Sequence, residues 1–364
     1  MKTLGIMTLD PSTEHSYYNG IAKEADNYDI KVFQFSPNKV NPIREEFDGY
    51  YFNQLTQEWI AGTHPLPEYI YDKTSYSQHP DSLKAKTIVQ WLKNKQDITF
   101  LGYGLPNKWR IHETLQAYPS ISQYLPTTKL GENEQDVLSF LKSEKEIILK
   151  PIDGAGGYAI YHISTSKERI IVKTTKANGK MVESLLQPSS FLRLTRRLMK
   201  HHTFMMQPRL NNLSKEKQPF DLRILLQKNM EGNWRIAGKG IRVGAKNGIL
   251  TNISAGARFL HYHEWKEKNK HLDWGKIEDQ LTNILLLFPS LLETSFAPLF
   301  ELGLDILIEP DHSLWILDTN SKPGHKIITS LYSDRVTALF HAPLKYLSSM
   351  ESMFEHPFSR GEIK

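Results

Sequence analysis

Residues 147–158 read IILKPIDGAGGY, a glycine-rich loop between two apolar segments. An apolar strand delivers Lys150, a loop with three glycines follows, and a new strand begins. Glycine lets backbone N–H groups approach phosphate oxygens closely, and a lysine ammonium adds positive charge beside them. The loop lacks a Gly-Lys-Ser/Thr sequence and is not followed directly by a helix, which excludes a P-loop. By itself, the run through Gly154, Gly156 and Gly157 is explained equally well by a phosphate-binding loop or by a plain tight turn.

A second pair of strands, far downstream, carries oxygen-bearing side chains. Residues 304–308 (LDILI) include Asp305, and residues 314–324 (LWILDTNSKPG) include Asp318 and Asn320. Residues two apart on a strand share a face, so Asp318 and Asn320 are predicted to point the same way. Hard oxygen ligands of this kind suit Mg²⁺ beside substrate phosphates. The alternative is that Asp-x-Asn simply begins a turn.

Charged residues also interrupt the strand pattern of residues 220–243. Arg223 follows Asp221 by two residues on one strand, Arg242 lies on the next, and residues 251–256 (TNISAG) come after it. Charges embedded in strands tend to be paired or functional, because an unpaired buried charge is costly. Arg223 is therefore either a ligand-binding residue or the structural partner of Asp221 or of another carboxylate.

The first hundred residues alternate strand and helix signals. Strands are predicted at residues 3–9, 30–35, 69–71 and 99–101, and helices at residues 18–27 and 84–95. Alternation of this kind predicts an open, largely parallel α/β sheet. From residue 147 onward the strands are closely spaced, which predicts antiparallel pairing and an α+β region. The three- and four-residue spacing of apolar residues over 274–292 predicts a helix with a buried face.

The length of 364 residues exceeds what one hydrophobic core usually supports. The change of pattern predicts an N-terminal α/β domain over residues 1–106, a central lobe over 107–207 and a C-terminal lobe with a terminal helix over 208–364. The absence of cysteine excludes disulfides, thiolate metal sites and a cysteine nucleophile. The 45 basic and 40 acidic residues are well mixed, and neither a nucleic-acid-binding signature nor a membrane-length apolar run accompanies them. We therefore expect a cytoplasmic protein without a specific nucleic-acid or membrane partner.

Taken in order, these pieces resemble the ATP-grasp superfamily of carboxylate–amine ligases. Its members carry a lysine on a strand before a glycine loop, a hinge strand ending in Glu or Gln, an Asp-x-Arg strand, an Arg…Asn segment and a final Asp…Glu-x-Asn. The resemblance covers residues 107–324 and is similar in order and spacing to the ribosomal-protein glutamate ligases. It implies an ATP-grasp fold behind an N-terminal open α/β domain, with ATP and one or two Mg²⁺ ions bound between two lobes.

The resemblance also implies a role for each matching residue. Lys108 and Lys150 fall on the two phosphate-binding lysines, and Gln207 falls on the hinge that lines the adenine pocket. Arg242 and Asn252 fall on the residues that hold the γ-phosphate and the metal. The implied set comprises catalytic Arg242 and Lys150, nucleotide-binding Lys108, Lys150, Gly154, Gly156, Gly157, Gln207, Arg223 and Asn252, and metal-binding Asp305, Asp318 and Asn320.

Within the superfamily, four short segments resemble the endospore coat-associated YheC/YheD family. They are residues 4–8 (LGIMT), 33–37 (FQFSP), 67–73 (PEYIYDK) and 107–109 (NKW). The resemblance implies an association with the spore coat and leaves the substrates open. We therefore expect an ATP- and Mg²⁺-dependent ligase that joins an unidentified carboxylate to an amine through an acyl-phosphate, with peptides or coat components as candidate substrates.

One position departs from the superfamily pattern and keeps a second function open. Asp318 stands where the family has a glutamate, so the carboxylate is one methylene shorter. This puts the bridging of two Mg²⁺ ions, and hence full turnover, in doubt. The alternative is a non-catalytic coat or scaffold protein that keeps the fold and binds ATP. The presence of Lys108, Lys150, Arg242 and Asn320 favours the enzyme.

Overall fold

The computed structural model describes residues 1–10, 15–76, 80–154, 157–176, 180–246, 248, 251 and 257–355. Within these residues the named strands form three sheets, which follow one another along the chain. None of the described helices is long and apolar enough to cross a membrane.

The first sheet is built from the N-terminal residues. Its strands are β1 (Lys2–Met7), β2 (Ile30–Asn41), β3 (Glu46–Asn53), β4 (Glu58–Pro65), β5 (Tyr69–Asp72) and β6 (Thr99–Phe100), in the spatial order β4-β3-β2-β1-β5-β6. Helix α1 (His15–Glu24) follows β1, and α2 (Pro80–Lys93) follows β5. The pairs β1–β2, β1–β5 and β5–β6 are parallel, as the alternation of strands and helices predicts.

The prediction misses β3 and β4, which form an antiparallel hairpin on one side of the first sheet. Only Phe47 and Phe52 are buried on β3, and none of the residues of β4 is buried. The hairpin therefore has little hydrophobic periodicity from which to recognise it. β2 also continues past Pro37, where a strand end was predicted, and its register with β3 shifts between Phe35 and Val40. Proline has no backbone N–H group to donate to the neighbouring strand. A shift in register near Pro37 therefore costs fewer inter-strand hydrogen bonds than it would elsewhere in β2.

The second sheet is antiparallel, as predicted for this region. Its strands are β7 (Lys129–Gly131), β8 (Glu146–Pro151), β9 (Tyr161–Ser166), β10 (Arg169–Thr175), β11 (Met181–Leu186) and β12 (Phe204–Pro208), in the order β11-β10-β9-β8-β12-β7. Helices α3 (Lys108–Leu115) and α4 (Pro119–Ser122) precede it, and α5 (Glu134–Glu144) and α6 (Pro188–Met199) interrupt it. Phe140 of α5, Phe191 of α6 and Phe204 of β12 are buried in its core.

The third sheet is also antiparallel and contains the downstream strands. Its strands are β13 (Phe220–Lys228), β14 (Trp234–Val243), β15 (Arg258–His261), β16 (Glu301–Ile308) and β17 (Leu314–Asn320), in the order β15-β14-β13-β16-β17. Four helices accompany it among the described residues: α7 (Tyr262–Lys268), α8 (Trp274–Ser295), α9 (Lys326–Leu331) and α10 (Val336–Glu355). The predicted buried face of α8 is confirmed, since Ile277, Leu281, Ile284 and Leu292 are buried.

Helices α3 and α4 pack on the third sheet although they precede the second sheet in the chain. Ile111 and Leu115 of α3 and Ile121 of α4 belong to the same apolar core as Phe288 of α8. This packing places the start of α3 where the second and third sheets face each other. The domain boundaries at residues 106 and 207 stay predictions.

A buried carboxylate ties the first sheet to the third. Glu301, at the start of β16, is 2% exposed and accepts hydrogen bonds from the hydroxyl of Tyr71 and the Nζ of Lys73, both at 2.8 Å. His325 Nε2 lies 2.9 Å from its other carboxylate oxygen. Burial alone would raise the pKa of Glu301, but Lys73 and His325 outweigh it and lower that pKa to about 2. The contact between the two sheets therefore includes a buried, ionised carboxylate.

We expect Glu301→Gln to lower the free energy of unfolding by about 3–5 kcal/mol, because it removes the carboxylate with which both Lys73 and His325 pair. Urea unfolding at neutral pH measures the change. Glu267→Gln is the matched control: Glu267 pairs with Lys270 at the surface, so its loss should change stability little.

The same difference should depend on pH. Because the folded-state pKa of Glu301 lies below its ordinary value of 4.5, its stabilisation is fully present above about pH 4.5 and is lost as the pH falls towards 2. The stability gap between wild type and Glu301→Gln should therefore narrow across that interval. A gap that stays constant from pH 7 to about pH 3 would show that the ionised carboxylate is not its source.

Candidate active site

A pocket opens between the second and third sheets, with an empty volume of about 400 Å³ that includes its mouth. One part of its wall is apolar and consists of Ile111, Leu115, Leu125, Met205, Phe288 and Ile316. The polar part consists of Lys108, His112, Lys150, Gln207, Asp318 and Thr319. Four of the predicted site residues, from four different elements, therefore meet in one pocket.

Lys150 bridges the two sheets at the bottom of this pocket. It lies on β8, opposite Met205 of β12, and is 8% exposed. Its Nζ donates a hydrogen bond to the backbone carbonyl of Leu317 on β17, 2.9 Å away. Burial, followed by the charge of Lys108, lowers the pKa of Lys150 to about 8. Because burial disfavours the charged form of this ammonium, an anionic ligand bound beside it would stabilise that form.

Lys108 reaches the neighbouring position of β17 from the start of α3. The Asn107 side chain caps this helix by accepting a hydrogen bond from the N–H of Arg110. The backbone N–H of Lys108 donates to the carbonyl of Ile152, 3.0 Å away, which ties the start of α3 to the segment after β8. The Nζ of Lys108 lies 2.5 Å from Oδ2 of Asp318. Both lysines of the pocket thus converge on adjacent residues of one strand.

Gln207 lies on β12 and also lines the pocket. It is 6% exposed, and its side-chain amide donates a hydrogen bond to the hydroxyl of Thr128, 2.9 Å away. This contact holds the amide in one orientation. The role of Gln207 as the hinge that lines an adenine pocket stays a prediction.

Beside Asp318, charged residues form a row across the third sheet. Arg242 donates two hydrogen bonds to Asp221, at 2.8 and 2.7 Å, and its Nη2 lies 2.7 Å from Asp305. Arg223 Nη1 lies 2.5 Å from the other oxygen of Asp305, and the hydroxyl of Thr251 donates to Asp221. Burial would raise the pKa of Asp305, but Arg242 and Arg223 outweigh it and hold that pKa well below its usual range. Of the two alternatives for Arg223, the structural ion pair is therefore present, with Asp305 as its partner.

Strand register explains this row. Asp221 lies opposite Arg242, Arg223 opposite Asp305, and Asp305 opposite Asp318. Residues 221 and 223 are two apart on β13 and therefore share a face of the sheet. Charges that are distant in sequence are thus brought side by side on four neighbouring strands.

The predicted metal ligands differ in how much of their oxygen surface is available. The Asp318 side chain is 33% exposed in the pocket wall, whereas both oxygens of Asp305 are engaged by arginines. The side-chain oxygen of Asn320 accepts a hydrogen bond from the N–H of Lys322, 2.9 Å away, so Asn320 also begins a turn. Among the described residues, no three His, Asp or Glu side chains are grouped so that they could hold a metal ion. The metal role of the three residues stays a prediction.

The predicted glycine loop is described only in part. Gly154 and Gly157 have φ angles of 123° and 79°, a conformation that side-chain-bearing residues rarely adopt. Gly156 and the predicted phosphate ligand Asn252 lie outside the described residues. The loop geometry therefore fits the requirement for glycine, and its phosphate-binding role stays a prediction.

A family model described as YheC/D like ATP-grasp matches residues 97–350 of this chain. The endospore coat-associated protein YheC of Bacillus subtilis (strain 168) is 34% identical over 355 residues, which cover 97% of this chain and 98% of that protein. The chain belongs to the YheC/D-like ATP-grasp family. Membership in an ATP-grasp family implies that it binds ATP.

Solved structures show that the fold of this YheC/D-like protein is shared with ligases. A D-cycloserine synthetase, DcsG, superposes with a TM-score of 0.57 at 10% identity and covers 95% of this chain and 99% of its own. The D-alanine–D-alanine ligase of Coxiella burnetii has a TM-score of 0.53 at 11% identity, with 98% of each chain covered. At these identities the comparison establishes the ATP-grasp fold.

Sequence reasoning missed several residues of the pocket in this YheC/D-like chain. Phe288 carries no motif and lines the pocket only through tertiary packing, and the same holds for Thr128, which contacts the pocket residue Gln207. His112 could have been found, because it follows Lys108 by four residues on α3 and such residues share a helix face.

We expect Gly303→Ala to lower the free energy of unfolding by about 1–3 kcal/mol, measured by urea unfolding. A Cβ on Gly303 would collide with the guanidinium of Arg223 and would lie 2.9 Å from the Cβ of Pro323. The substitution should therefore push Arg223 away from Asp305.

In Gly275→Ala, near the start of α8, the nearest atom to the new Cβ is 3.3 Å away. This control should be neutral or stabilising by up to about 1 kcal/mol. Equal stabilities for the two variants would rule out the tight packing of Arg223 on β16.

Proposed function

We propose that this protein is an ATP- and Mg²⁺-dependent carboxylate–amine ligase that acts through an acyl-phosphate. The observation that carries the proposal is the convergence of Lys108 and Lys150 on residues 317 and 318, in a pocket that is also lined by several apolar side chains. ATP has a flat, weakly polar base at one end and a polyanion at the other, so it can use both the apolar side chains and the lysines of this pocket. Gln207 is the residue we assign to the base and the two lysines are those we assign to the phosphates.

The residues we assign to Mg²⁺ are Asp305, Asp318 and Asn320. Their carboxylate and amide oxygens are the donors that this ion prefers, and Asp318 offers its carboxylate in the pocket wall. When bound, Mg²⁺ would neutralise charge on the phosphoryl group that is transferred. Ion pairs with Arg223 and Arg242 hold the Asp305 carboxylate ionised before any metal arrives.

In the proposed reaction the substrate carboxylate attacks the γ-phosphorus of ATP, and the bond to the departing ADP oxygen breaks. A substrate amine then attacks the acyl carbon, inorganic phosphate leaves with the electron pair of the carbon–oxygen bond, and the proton that the amine loses passes to the departing phosphate or to solvent. We assign to Arg242 the stabilisation of the acyl-phosphate and of the tetrahedral intermediate. Asp221 and Asp305 fix its guanidinium on two sides, so it can act with little reorganisation.

We further propose that the protein works in the cytoplasm or at the spore coat, on peptides or coat components. The name of the Bacillus subtilis relative, endospore coat-associated protein YheC, supports this placement, and the similarity covers 97% of this chain and 98% of that protein.

A scaffold protein that binds ATP without turnover is the second candidate. It is favoured by Asp318, which is shorter than the glutamate expected there, and by the engagement of both Asp305 oxygens with arginines. In such a protein ATP would stabilise the contact between the lobes instead of reacting.

We expect Lys150→Ala to weaken ATP binding at least about tenfold by isothermal titration calorimetry, because a charge-assisted contact with phosphate is lost. Lys142→Ala, on the exposed face of α5, is the matched control and should bind ATP like wild type. Unchanged affinity in Lys150→Ala would remove Lys150 from the site.

The affinity of the wild type should also depend on pH. Since the pKa of Lys150 is about 8, its charge is lost as the pH rises through that value, although Asp318 and Asp305 oppose the loss. ATP affinity should therefore fall between about pH 7 and pH 9 in the wild type, and the fall should be much smaller in Lys150→Ala.

We expect ADP release from Mg-ATP only when a carboxylate and an amine are supplied together, because both half-reactions are needed for turnover. A coupled assay with pools of amino acids and peptides measures it, and Lys150→Ala is the control that should abolish it. ATP binding without ADP release in any mixture would favour the scaffold.

A further inference from the structure

Positive charge is concentrated in one stretch of the chain. Residues 154–207 contain nine lysines and arginines against two glutamates and no aspartate, a net charge of +7, whereas the whole chain has a net charge of +5. The mixing of basic and acidic residues over the whole chain therefore does not extend to this stretch, which includes strands β9, β10 and β11 and helix α6. Lys108 and Lys150 precede it, so the lysines of the pocket do not account for this charge.

Four of these cations lie three or four residues apart along helix α6 and its last turn, and all four are exposed. They are Arg193, Arg196, Arg197 and Lys200, and we call them the basic stripe. Like charges one helical turn apart repel each other. The helix dipole favours cations in the last turn, but it does not explain Arg193 in the middle of the helix. The neighbouring helix α5, by contrast, exposes both Lys142 and Glu144.

The basic stripe is mostly without acidic partners. Arg196 pairs with Glu134, whose Oε1 accepts hydrogen bonds from both its Nε, at 2.8 Å, and its Nη2. Arg193 donates to the hydroxyl oxygen of Ser190, 2.9 Å away. Within the part of the chain that the structure describes, no carboxylate lies at ion-pair distance from Arg193, Arg197 or Lys200. The contact of Arg196 thus shows which group the stripe accepts, and three of its cations remain available for such groups.

The stripe ends beside the glycine loop. His202 and Thr203 connect α6 to β12, and the carbonyl of Thr203 accepts a hydrogen bond from the N–H of Ile152, 3.0 Å away and two residues before Gly154. Tyr158, just after the loop, is 65% exposed, and its ring meets that of His202 edge-on at a centroid distance of 5.8 Å. A chain bound along the stripe is therefore held next to the loop that we assign to the phosphates.

The dimensions of the stripe favour a polypeptide over a nucleic acid. Arg193 and Lys200 are seven residues apart, about 10 Å along the helix, which spans only a few residues of an extended or helical peptide. Nucleic acids are held through many phosphate contacts along a longer track, and single strands also stack on several aromatic side chains. Over the described residues 157–176 and 180–207, Tyr158 is the only aromatic residue that is exposed. Carboxylates are also the planar groups that arginine binds with two parallel hydrogen bonds.

We propose that the basic stripe docks an acidic segment of a polypeptide and holds it beside the glycine loop. The inference deepens the proposed ligase function and rests on it, since it gives the polypeptide substrate of that ligase a chemical property, an acidic segment outside the nucleotide pocket. The stripe residues bind and position this segment and take no part in the transfer of the phosphoryl group.

Fluorescence anisotropy with a labelled decaglutamate peptide at low ionic strength tests the proposal. Arg193→Gln/Arg197→Gln should bind this peptide about tenfold more weakly than wild type, because two charge-assisted contacts are lost. Lys84→Gln/Lys86→Gln is the matched control: it removes the same charge from two exposed positions of α2 and should bind like wild type. Arg193→Lys/Arg197→Lys keeps the charge and should retain most of the affinity.

Several outcomes would overturn the docking surface. They are the absence of decaglutamate binding in wild type, equal weakening in the two glutamine double variants, which would show an effect of net charge alone, and a lysine double variant as weak as the glutamine one. Labelled decaglutamine should not bind, and labelled decathymidylate should bind at least about threefold more weakly than decaglutamate. Equal or tighter binding of decathymidylate would identify a nucleic-acid surface instead.

ATP binding separates this inference from the function on which it rests. None of the stripe residues lines the pocket, so Arg193→Gln/Arg197→Gln should bind ATP like wild type and unfold at an unchanged Tm. If wild type binds ATP and turns it over but does not bind decaglutamate, the docking surface is wrong and the ligase function stands. If the stripe binds decaglutamate and the protein does not bind ATP, the ligase function is wrong and the stripe is a docking surface without that role.

Discussion

Lys150 is a buried cation that reaches across the cleft to the carbonyl of Leu317, and the candidate site depends on this contact. β8 and β17 belong to different sheets, so a separation of 2.9 Å fixes how those sheets face each other. A single carbonyl only partly compensates for the burial of an ammonium, which is why the pKa of Lys150 falls to about 8. A polyanion bound at the same place would neutralise the charge of Lys150, which the carbonyl of Leu317 compensates only in part.

The charged row on the third sheet shows the opposite arrangement. Arg242 is held by Asp221 and Asp305, and Arg223 holds the remaining oxygen of Asp305. Moving one of these side chains away would leave its partner as an uncompensated buried charge. Because this is costly, the ion pairs hold all the side chains of the row in place. Asp318, by contrast, is partly exposed and pairs with Lys108 at the pocket wall. The site therefore combines the fixed guanidinium of Arg242 with the Asp318 carboxylate, which can exchange Lys108 for another partner. This combination suits a charged ligand.

The fold was predictable where burial leaves a regular pattern. The buried face of α8 follows from Ile277, Leu281 and Ile284, and the antiparallel character of the later sheets follows from closely spaced apolar strands. The β3–β4 hairpin was not predictable, because it is mostly exposed and so carries little hydrophobic periodicity. The packing of α3 against the third sheet was not predictable either, since the apolar face of a helix does not specify which core it enters.

The ordered series of charged residues and glycines in the candidate site could be recognised from the sequence, because residue type and spacing along a strand are local properties. It could not assign partners. Arg223 stands two residues from Asp221 yet pairs with Asp305, 82 residues away, because strand register sets the distances on which ion pairs depend. His112 could be placed on the face of Lys108 by helical spacing. Its burial, its neutral ring and its unpaired nitrogen among the described residues follow only from tertiary packing, because they depend on which side chains surround it.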